Sequence, residues 1–148
     1  MTKNDAVEIL LVEDNPNDAK LAMLALEEVN LANNLIWLKD GAEALDFLFG
    51  EGKYEGRNIE NRPKIILLDL KMPKVDGIQV LERIKKDDKT KHIPVAVMTS
   101  SQEEKDRVST YDLGVNSYIV KPIDFDQFTD FVKEVGYYWM VVNTPPAK

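Results

Sequence analysis

The chain has 148 residues, of which 44% are hydrophobic and 30% are charged, and this balance is typical of one soluble globular domain. Its net charge of −7 argues against a nucleic-acid-binding surface and against docking to an anionic membrane, because both need a basic patch. The lack of cysteine excludes disulfides and thiolate metal sites, and a lone histidine, His92, argues against a zinc or copper site. Since no apolar run reaches the length of a signal-peptide core or a membrane span, we expect a cytoplasmic protein.

Short apolar runs alternate with helical patterns along the whole sequence. In chain order we predict a strand at Val7 and Ile9–Val12, a helix from Pro16 to about Val29, a strand at Leu35–Leu38, a helix at Ala42–Phe49, a strand at Ile65–Leu70, a helix at Gly77–Lys86, a strand at Pro94–Met98, a helix at Gln102–Leu113, a strand at Ser117–Val120 and a helix from about Asp124. Five strand-then-helix units with short connections predict an α/β fold, a doubly wound five-stranded parallel sheet with helices on both faces. We expect a single domain over residues 1–148, with a core at about 6–142 and a loose tail at 143–148.

The first helix and the segment before the third strand carry two further predictions. In the first helix, Leu21, Leu24 and Ala25 share a predicted core face, which leaves Met23 and Leu26 exposed, although the opposite assignment stays open. The segment from Gly50 to Arg62 is rich in glycine and charge, so we predict an exposed loop, and its length suggests a functional role.

The carboxyl ends of parallel strands meet at one edge of such a sheet, where chemistry usually gathers. Glu13 and Asp14 follow the first predicted strand, Asp69 ends the third, Thr99 follows the fourth and Lys121 follows the fifth. Two carboxylates about 4 Å apart repel by roughly 4 kcal/mol at an effective dielectric near 20, so a cluster of three needs a cation. An all-oxygen site of this kind suits Mg²⁺. A carboxylate beside Mg²⁺ and a lysine can attack phosphorus and form an aspartyl phosphate.

These residues lie in four blocks that together resemble the receiver domains of response regulators. The blocks are Ile9–Asn15, Leu67–Gly77, Met98-Thr99-Ser100 and Lys121-Pro122. They occur in the order and spacing of that family, and the resemblance covers nearly the whole chain. It implies a receiver-type, flavodoxin-like fold and a phosphoacceptor signalling protein rather than a turnover enzyme. It also implies that the protein promotes its own phosphorylation from small phosphodonors and its own dephosphorylation.

The resemblance also assigns roles at the predicted site. Asp69 would be the phosphoacceptor, and Glu13 and Asp14 would form the acidic metal pocket with it. The main-chain carbonyl of Lys71 would complete the protein ligands of Mg²⁺. Lys121 would pair with the phosphoryl oxygens.

Further roles follow from the same resemblance. Thr99 and Tyr118 match the switch pair of the family, in which the hydroxyl moves toward the phosphoryl group and the aromatic ring turns inward. Pro122 matches a cis-peptide position. Lys71 and Ser101 match two variable positions that tune dephosphorylation.

A smaller group within the family is similar over additional segments. The loop before Arg62-Pro63 and the ending Gly136–Pro146 resemble stand-alone regulators that serve bacterial phytochromes and related sensor kinases. This likeness implies a phytochrome-like histidine kinase as partner, a homodimer and no output domain. Excess apolar residues suggest a dimer or partner face, for which we select Tyr111, Tyr137, Tyr138, Trp139 and Met140.

Other interpretations remain at this point. An aspartate-nucleophile phosphatase uses a related sheet, but it usually needs a second acid two residues after the nucleophile, where Lys71 stands. A flavin or nucleotide domain is disfavoured because no glycine-rich phosphate loop follows the first strand. A degenerate receiver is disfavoured because all motif residues are present. Taken singly, Thr99 could be a helix cap, Tyr118 a packing aromatic and Lys121 a loop lysine. For His92 we expect a position at the surface.

Overall fold

The computed structural model describes residues 8–30, 34–72, 75–100, 104–121 and 124–131. The elements in these ranges are β1 Ile9–Val12, α1 Pro16–Glu28, β2 Leu35–Leu38, α2 Gly41–Phe49, β3 Ile65–Leu68, α3 Gly77–Lys86, β4 Val95–Thr99, α4 Glu104–Asp112, β5 Ser117–Val120 and α5 Phe125–Phe131. All strand pairs are parallel, and the described strands form one sheet in the order β2-β1-β3-β4-β5. The predicted fold class is therefore confirmed, whereas the domain limits at residues 6–142 stay a prediction.

The described core lies on both faces of the sheet because side chains alternate along each strand. On one face, Leu10 and Val12 belong to a cluster that includes residues of α2 and α3. On the other, Ile9 and Leu11 pack with residues of α1 and with Phe128 of α5. The central strands β1, β3 and β4 are buried along their whole length, whereas the edge strands β2 and β5 are mostly half-buried. Central parallel strands covered on both faces are expected to be apolar, as these are except for Thr99 at the end of β4.

The register of the strands aligns the residues that follow them. Val12 of β1 is paired with Leu68 of β3, and the Asp69 amide donates to the Val12 carbonyl at 3.0 Å. Consequently Glu13 and Asp69, each one residue further on, leave the sheet side by side. The chain runs from β1 outward to β2 and then crosses to β3 on the other side of β1, so this is the switch point of the topology.

Helix α1 begins as predicted but buries a different face. The Asn15 side chain caps it by accepting from the amides of Asn17 and Asp18 at 2.9 and 3.2 Å. Leu26 is buried and Leu24 is 45% exposed, so the predicted core face was wrong at both positions, whereas Ala25 is buried as predicted. The buried stripe consists of Ala19, Ala22, Ala25 and Leu26. Three alanines on this face let the helix approach the sheet closely, and leucines at those positions would hold it further away.

The segment between α2 and β3 is more ordered than predicted. A 3-10 turn at Gly52–Tyr54 brings the Tyr54 ring edge-on to Phe47, with 5.1 Å between centroids. The Arg57 guanidinium lies 3.8 Å from the centroid of the Phe47 ring and donates a hydrogen bond to the Phe47 carbonyl at 3.0 Å. The charged residues are mostly exposed as expected, but the aromatic and cation–π contacts fold this loop against α2.

Element boundaries differ from the predictions by one or two residues. Strand β3 ends at Leu68, so Asp69 lies in the connection that follows it. Thr99 is the last residue of β4 and does not follow the strand, because it still pairs with Val120 of β5. Among the described helices, none is long and apolar enough to cross a membrane.

The amino end of α3 presses against the connection that contains Asp69. Asp76 and Gln79 form a reciprocal capping box that fixes where α3 begins. A Cβ on Gly77 would lie 2.4 Å from the Asp69 carbonyl oxygen and 2.6 Å from the Leu70 Cα. Only glycine permits this approach, because both neighbours are backbone atoms.

We predict that Gly77→Ala destabilises the protein by about 1–3 kcal/mol, since the added methyl group forces backbone atoms apart. The sign is informative, because Gly→Ala inside a helix ordinarily stabilises by roughly 0.5–1 kcal/mol. Urea unfolding followed by circular dichroism measures it, and Glu82→Ala on the exposed side of α3 is the control. Unchanged or increased stability of Gly77→Ala would contradict the close packing.

Candidate functional site

Three acidic side chains meet at the carboxyl edge of the sheet. Glu13 and Asp14 follow β1 and Asp69 follows β3, and one carboxylate oxygen of each lies within 4.8 Å of the others. Glu13 is 1% exposed and Asp69 is 4% exposed, whereas Asp14 is the least buried of the three. The predicted cluster is thus present in the structure, with two carboxylates inside the protein and one open to solvent.

Glu13 is held by contacts from several parts of the chain. Its Oε2 accepts from the Asn15 amide at 3.2 Å, and its Oε1 accepts from Lys121 Nζ at 2.8 Å. Its backbone amide donates to the Leu38 carbonyl at 3.0 Å, and its carbonyl accepts from the Trp37 indole at 2.8 Å. Burial raises the pKa of Glu13 to about 7, even though the hydrogen bond from Lys121 opposes this. Even beside the Lys121 ammonium, the environment therefore makes the negative charge of Glu13 costly.

Asp69 is fixed by its own loop and by β1. Its Oδ1 accepts from the Lys71 amide at 3.2 Å, and its Oδ2 lies 3.5 Å from Lys121 Nζ. Burial raises the pKa of Asp69, while the positive charge of Lys121 and the Lys71 amide lower it. The hydrogen bond from the Asp69 amide to the Val12 carbonyl of β1 fixes the backbone, and the hydrogen bond from the Lys71 amide orients the carboxylate.

Lys121 is the cation that the structure places at this edge. Its backbone amide donates to the Thr99 carbonyl at 2.7 Å, which anchors it beside β4. Its ammonium lies 2.8 Å from Glu13 Oε1 and 2.8 Å from Asp18 Oδ2. Burial lowers the pKa of Lys121, but the hydrogen bonds with Asp18 and Glu13 and the charge of Asp69 outweigh it and raise the pKa above its ordinary value.

Asp18 was missed by sequence reasoning. An acidic residue in the first turn of a helix is ordinarily explained by the helix dipole, and Asp18 occupies that position in α1. The signal that could have found it is its location one helical turn beyond Asp14, on the same edge of the sheet as Lys121.

Thr99 and Tyr118 lie on neighbouring strands. Val97 pairs with Tyr118 and Thr99 pairs with Val120, so Thr99 and Tyr118 belong to the same face of the sheet. Thr99 is fully buried, and the half-buried Tyr118 packs against the core cluster that includes Val97. The Arg107 guanidinium of α4 lies 5.8 Å from the centroid of the Tyr118 ring.

Lys71 connects the Asp69 loop to helix α4. Its ammonium lies 3.4 Å from Asp106 Oδ2, and Asp106 is a buried residue of α4. Of the proposed partner face, Tyr111 is 50% exposed. The remaining predicted positions lie outside the described residues; they are Ser101, Pro122, Tyr137, Tyr138, Trp139 and Met140.

The donor set fits a hard divalent cation. Glu13, Asp14 and Asp69 offer only oxygen, and the exposed Asp14 leaves room for solvent ligands, as Mg²⁺ and similar ions require.

His92 lies exposed in the turn before β4, as expected.

Comparisons with known proteins agree with this geometry. The family model of the response regulator receiver domain matches residues 9–133. The chain is 42% identical over 140 residues to the probable methanogenesis regulatory protein FilR2 of Methanothrix harundinacea, covering 94% of this chain and 87% of that protein. It is 40% identical over 139 residues to the response regulator Rcp1 of Synechocystis, covering 94% and 92%.

Two solved structures extend the similarity to the fold. The phosphorylated cyanobacterial phytochrome response regulator RcpA has a TM-score of 0.84 at 39% identity, covering 96% of this chain and 99% of that chain. The Mn²⁺-bound form of Rcp1 has a TM-score of 0.82 at 39% identity, covering 95% and 99%.

We predict that Asp14→Asn stabilises the metal-free protein by on the order of 1 kcal/mol, because it removes one of three mutually repelling carboxylates. The same change should abolish the rise in Tm that MgCl₂ or MnCl₂ causes in the wild type. Thermal unfolding in EDTA and in excess metal measures both effects.

Glu82→Gln is the matched control, since it removes one exposed negative charge from α3 and should leave the metal-dependent rise intact. An Asp14→Asn protein that still gains stability from metal would show that the three carboxylates are not the binding site.

Proposed function

This chain belongs to the response-regulator receiver family, and we propose from that premise that it accepts a phosphoryl group from a histidine kinase on the carboxylate of Asp69. The observation that carries the proposal is the placement of Asp69 itself. It lies buried at the switch point of the sheet, 3.5 Å from the ammonium of Lys121 and within a cluster of two further carboxylates.

The transfer would form one bond and break one. An Asp69 carboxylate oxygen attacks phosphorus, the bond between phosphorus and the imidazole nitrogen of the donor breaks, and the donor nitrogen takes up a proton from solvent. The carboxylate loses its charge on becoming an acyl phosphate, and the phosphoryl oxygens keep theirs. The Lys71 amide orients Asp69 for this attack, and Lys121 provides positive charge for the new phosphoryl oxygens.

The cation that we propose is Mg²⁺, held by Glu13, Asp14, Asp69 and the carbonyl of Lys71. When bound it supplies positive charge to the phosphoryl oxygens during transfer. The support is the all-oxygen cluster of this chain, together with its similarity to a regulator that was solved with Mn²⁺.

The readout would begin at Thr99 and Tyr118. Because they occupy one face of adjacent strands, a shift of the Thr99 hydroxyl toward the phosphoryl group would change the space available to the Tyr118 ring. Helix α4 contacts both the switch pair and the Asp69 loop: Arg107 lies at the Tyr118 ring, and Asp106 pairs with Lys71. Lys71 and Ser101 would tune how fast water removes the phosphoryl group.

The phosphatase alternative is disfavoured by the residue two positions after Asp69. That residue is Lys71, whose ammonium is engaged with Asp106, so the second acid that such enzymes use is replaced by a cation. We therefore propose that the protein promotes its own labelling by small phosphodonors and its own dephosphorylation, without steady turnover of phosphate esters.

For partners, we propose a phytochrome-like sensor kinase, because the similar regulator RcpA is a phytochrome response regulator. We also propose a homodimer formed through the face of Tyr111 and the residues Tyr137, Tyr138, Trp139 and Met140. The cytoplasmic location stays a prediction.

Phosphorylation by acetyl phosphate is the direct test of Asp69. Intact-mass spectrometry should find one phosphoryl adduct that requires MgCl₂, that is lost in Asp69→Asn and that persists in the exposed control Asp112→Asn. An adduct in Asp69→Asn would refute the assignment of the acceptor, and continuous release of phosphate from p-nitrophenyl phosphate would favour the phosphatase.

The dimer is tested by light scattering over a concentration series, with and without phosphorylation. Tyr111→Ser should weaken association several-fold, since loss of a large exposed aromatic removes interface area. Leu24→Ser, which removes an exposed apolar residue of α1, should have no effect. A monomeric mass of the phosphorylated protein at every concentration would rule the dimer out.

A further inference from the structure

The ammonium of Lys121 is shared by three carboxylates among the described residues, and they are not equally placed. It lies 2.8 Å from both Glu13 and Asp18 but 3.5 Å from Asp69. Lys121 is therefore bound on the side of the site formed by Glu13 and by Asp18 of α1, which we call the α1 side. The proposed function, however, needs Lys121 beside the phosphoryl group on Asp69. Asp18 lies outside the three-carboxylate cluster, and the function so far gives it no part.

We propose that Asp18 is a positioning residue that retains Lys121 on the α1 side until a phosphoryl group arrives at Asp69. The inference rests on the proposed function and deepens it, because Asp18 then sets how readily the site accepts a phosphoryl group.

The two short contacts of Lys121 differ in how easily they can be exchanged. The side chain of Glu13 is 1% exposed and is also fixed by the Asn15 amide, so it stays where it is. The side chain of Asp18 is 40% exposed, so water can replace the ammonium as its partner. An ion pair with an exposed partner is weak, and the bond to Asp18 is the one that breaks when Lys121 turns.

The surroundings of Lys121 permit such a movement of the side chain alone. The backbone amide of Lys121 donates a hydrogen bond to the Thr99 carbonyl at 2.7 Å, so the side chain can move without a shift of the strand. A cavity of about 20 Å³ between α1 and α5 borders Lys121, Asp18 and Phe128. This volume holds about one water molecule, which can hydrate Asp18 after the ammonium leaves.

The direction of the effect follows. In the wild type, binding of a phosphoryl group draws Lys121 away from Asp18, and the lost ion pair opposes binding. Asp18→Asn keeps the shape of the side chain but removes the charge, so less is lost. The variant should bind a phosphoryl analogue more tightly, by about two- to fivefold, which matches the worth of an exposed ion pair.

The experiment is a titration of the full chain with beryllofluoride at saturating MgCl₂, followed by Trp fluorescence. Asp18→Asn is compared with the wild type, with Asp18→Glu, which retains the charge and should restore the wild-type affinity, and with Glu27→Gln. Glu27 is exposed on the same helix, so its variant controls for the loss of one negative charge from α1.

A second readout separates positioning from simple repulsion of the anion by Asp18. The side-chain carbon signal of ¹³Cε-labelled Lys121 should shift when beryllofluoride binds the wild type. In free Asp18→Asn it should already lie closer to the bound value, because the ammonium is no longer retained.

Tighter binding together with this shift supports the proposal. Tighter binding with an unshifted Lys121 signal overturns it, because Asp18 would then act only through its charge. Equal or weaker binding by Asp18→Asn also overturns it, while leaving the proposed function intact. Absence of binding by the wild type would overturn the proposed function as well.

Discussion

The arrangement of this protein depends on one cation among buried carboxylates. Glu13 and Asp69 are almost fully buried at the same edge of the sheet, and burial raises the pKa of both. Lys121 offsets part of that cost, and it follows β5 whereas the acids follow β1 and β3. The site therefore acquires its charge balance only when strands from both halves of the chain have assembled, which links formation of the sheet to formation of the site.

The surrounding structure restricts how the acidic groups can move. The Trp37 indole and the Leu38 carbonyl bind the backbone of Glu13 from β2, and the packing of Gly77 limits the Asp69 loop from α3. Lys71 extends the same loop to α4 through Asp106. The acidic groups are held in place, whereas the side chain of Lys121 can move. We therefore expect negative charge added at Asp69 to change the position of the Lys121 side chain before it changes the fold.

Much of the fold and of the site could be predicted from the sequence because the determining signals are local. Apolar runs predicted the five strands, the helical pattern from Pro16 predicted α1, and the residues at the strand ends predicted the acids and Lys121. The inward face of α1 could not be predicted, since alanine and leucine periodicities overlap and only contact with the sheet distinguishes them. Asp18 was missed because an acid in the first turn of a helix is ordinarily explained by the helix dipole, and its partner Lys121 lies 103 positions away.

The excess of carboxylates at this edge has a thermodynamic consequence. Among the described residues there, Glu13, Asp14, Asp18 and Asp69 face one ammonium, so an arriving phosphoryl group meets net negative charge unless a divalent cation is present. Binding of cation and anion must then be reciprocal: whatever factor the cation adds to the affinity for the anion, the anion adds to the affinity for the cation. The concentration of the free divalent cation would thereby enter the equilibrium of the signal itself, as a second input that the protein integrates with the first.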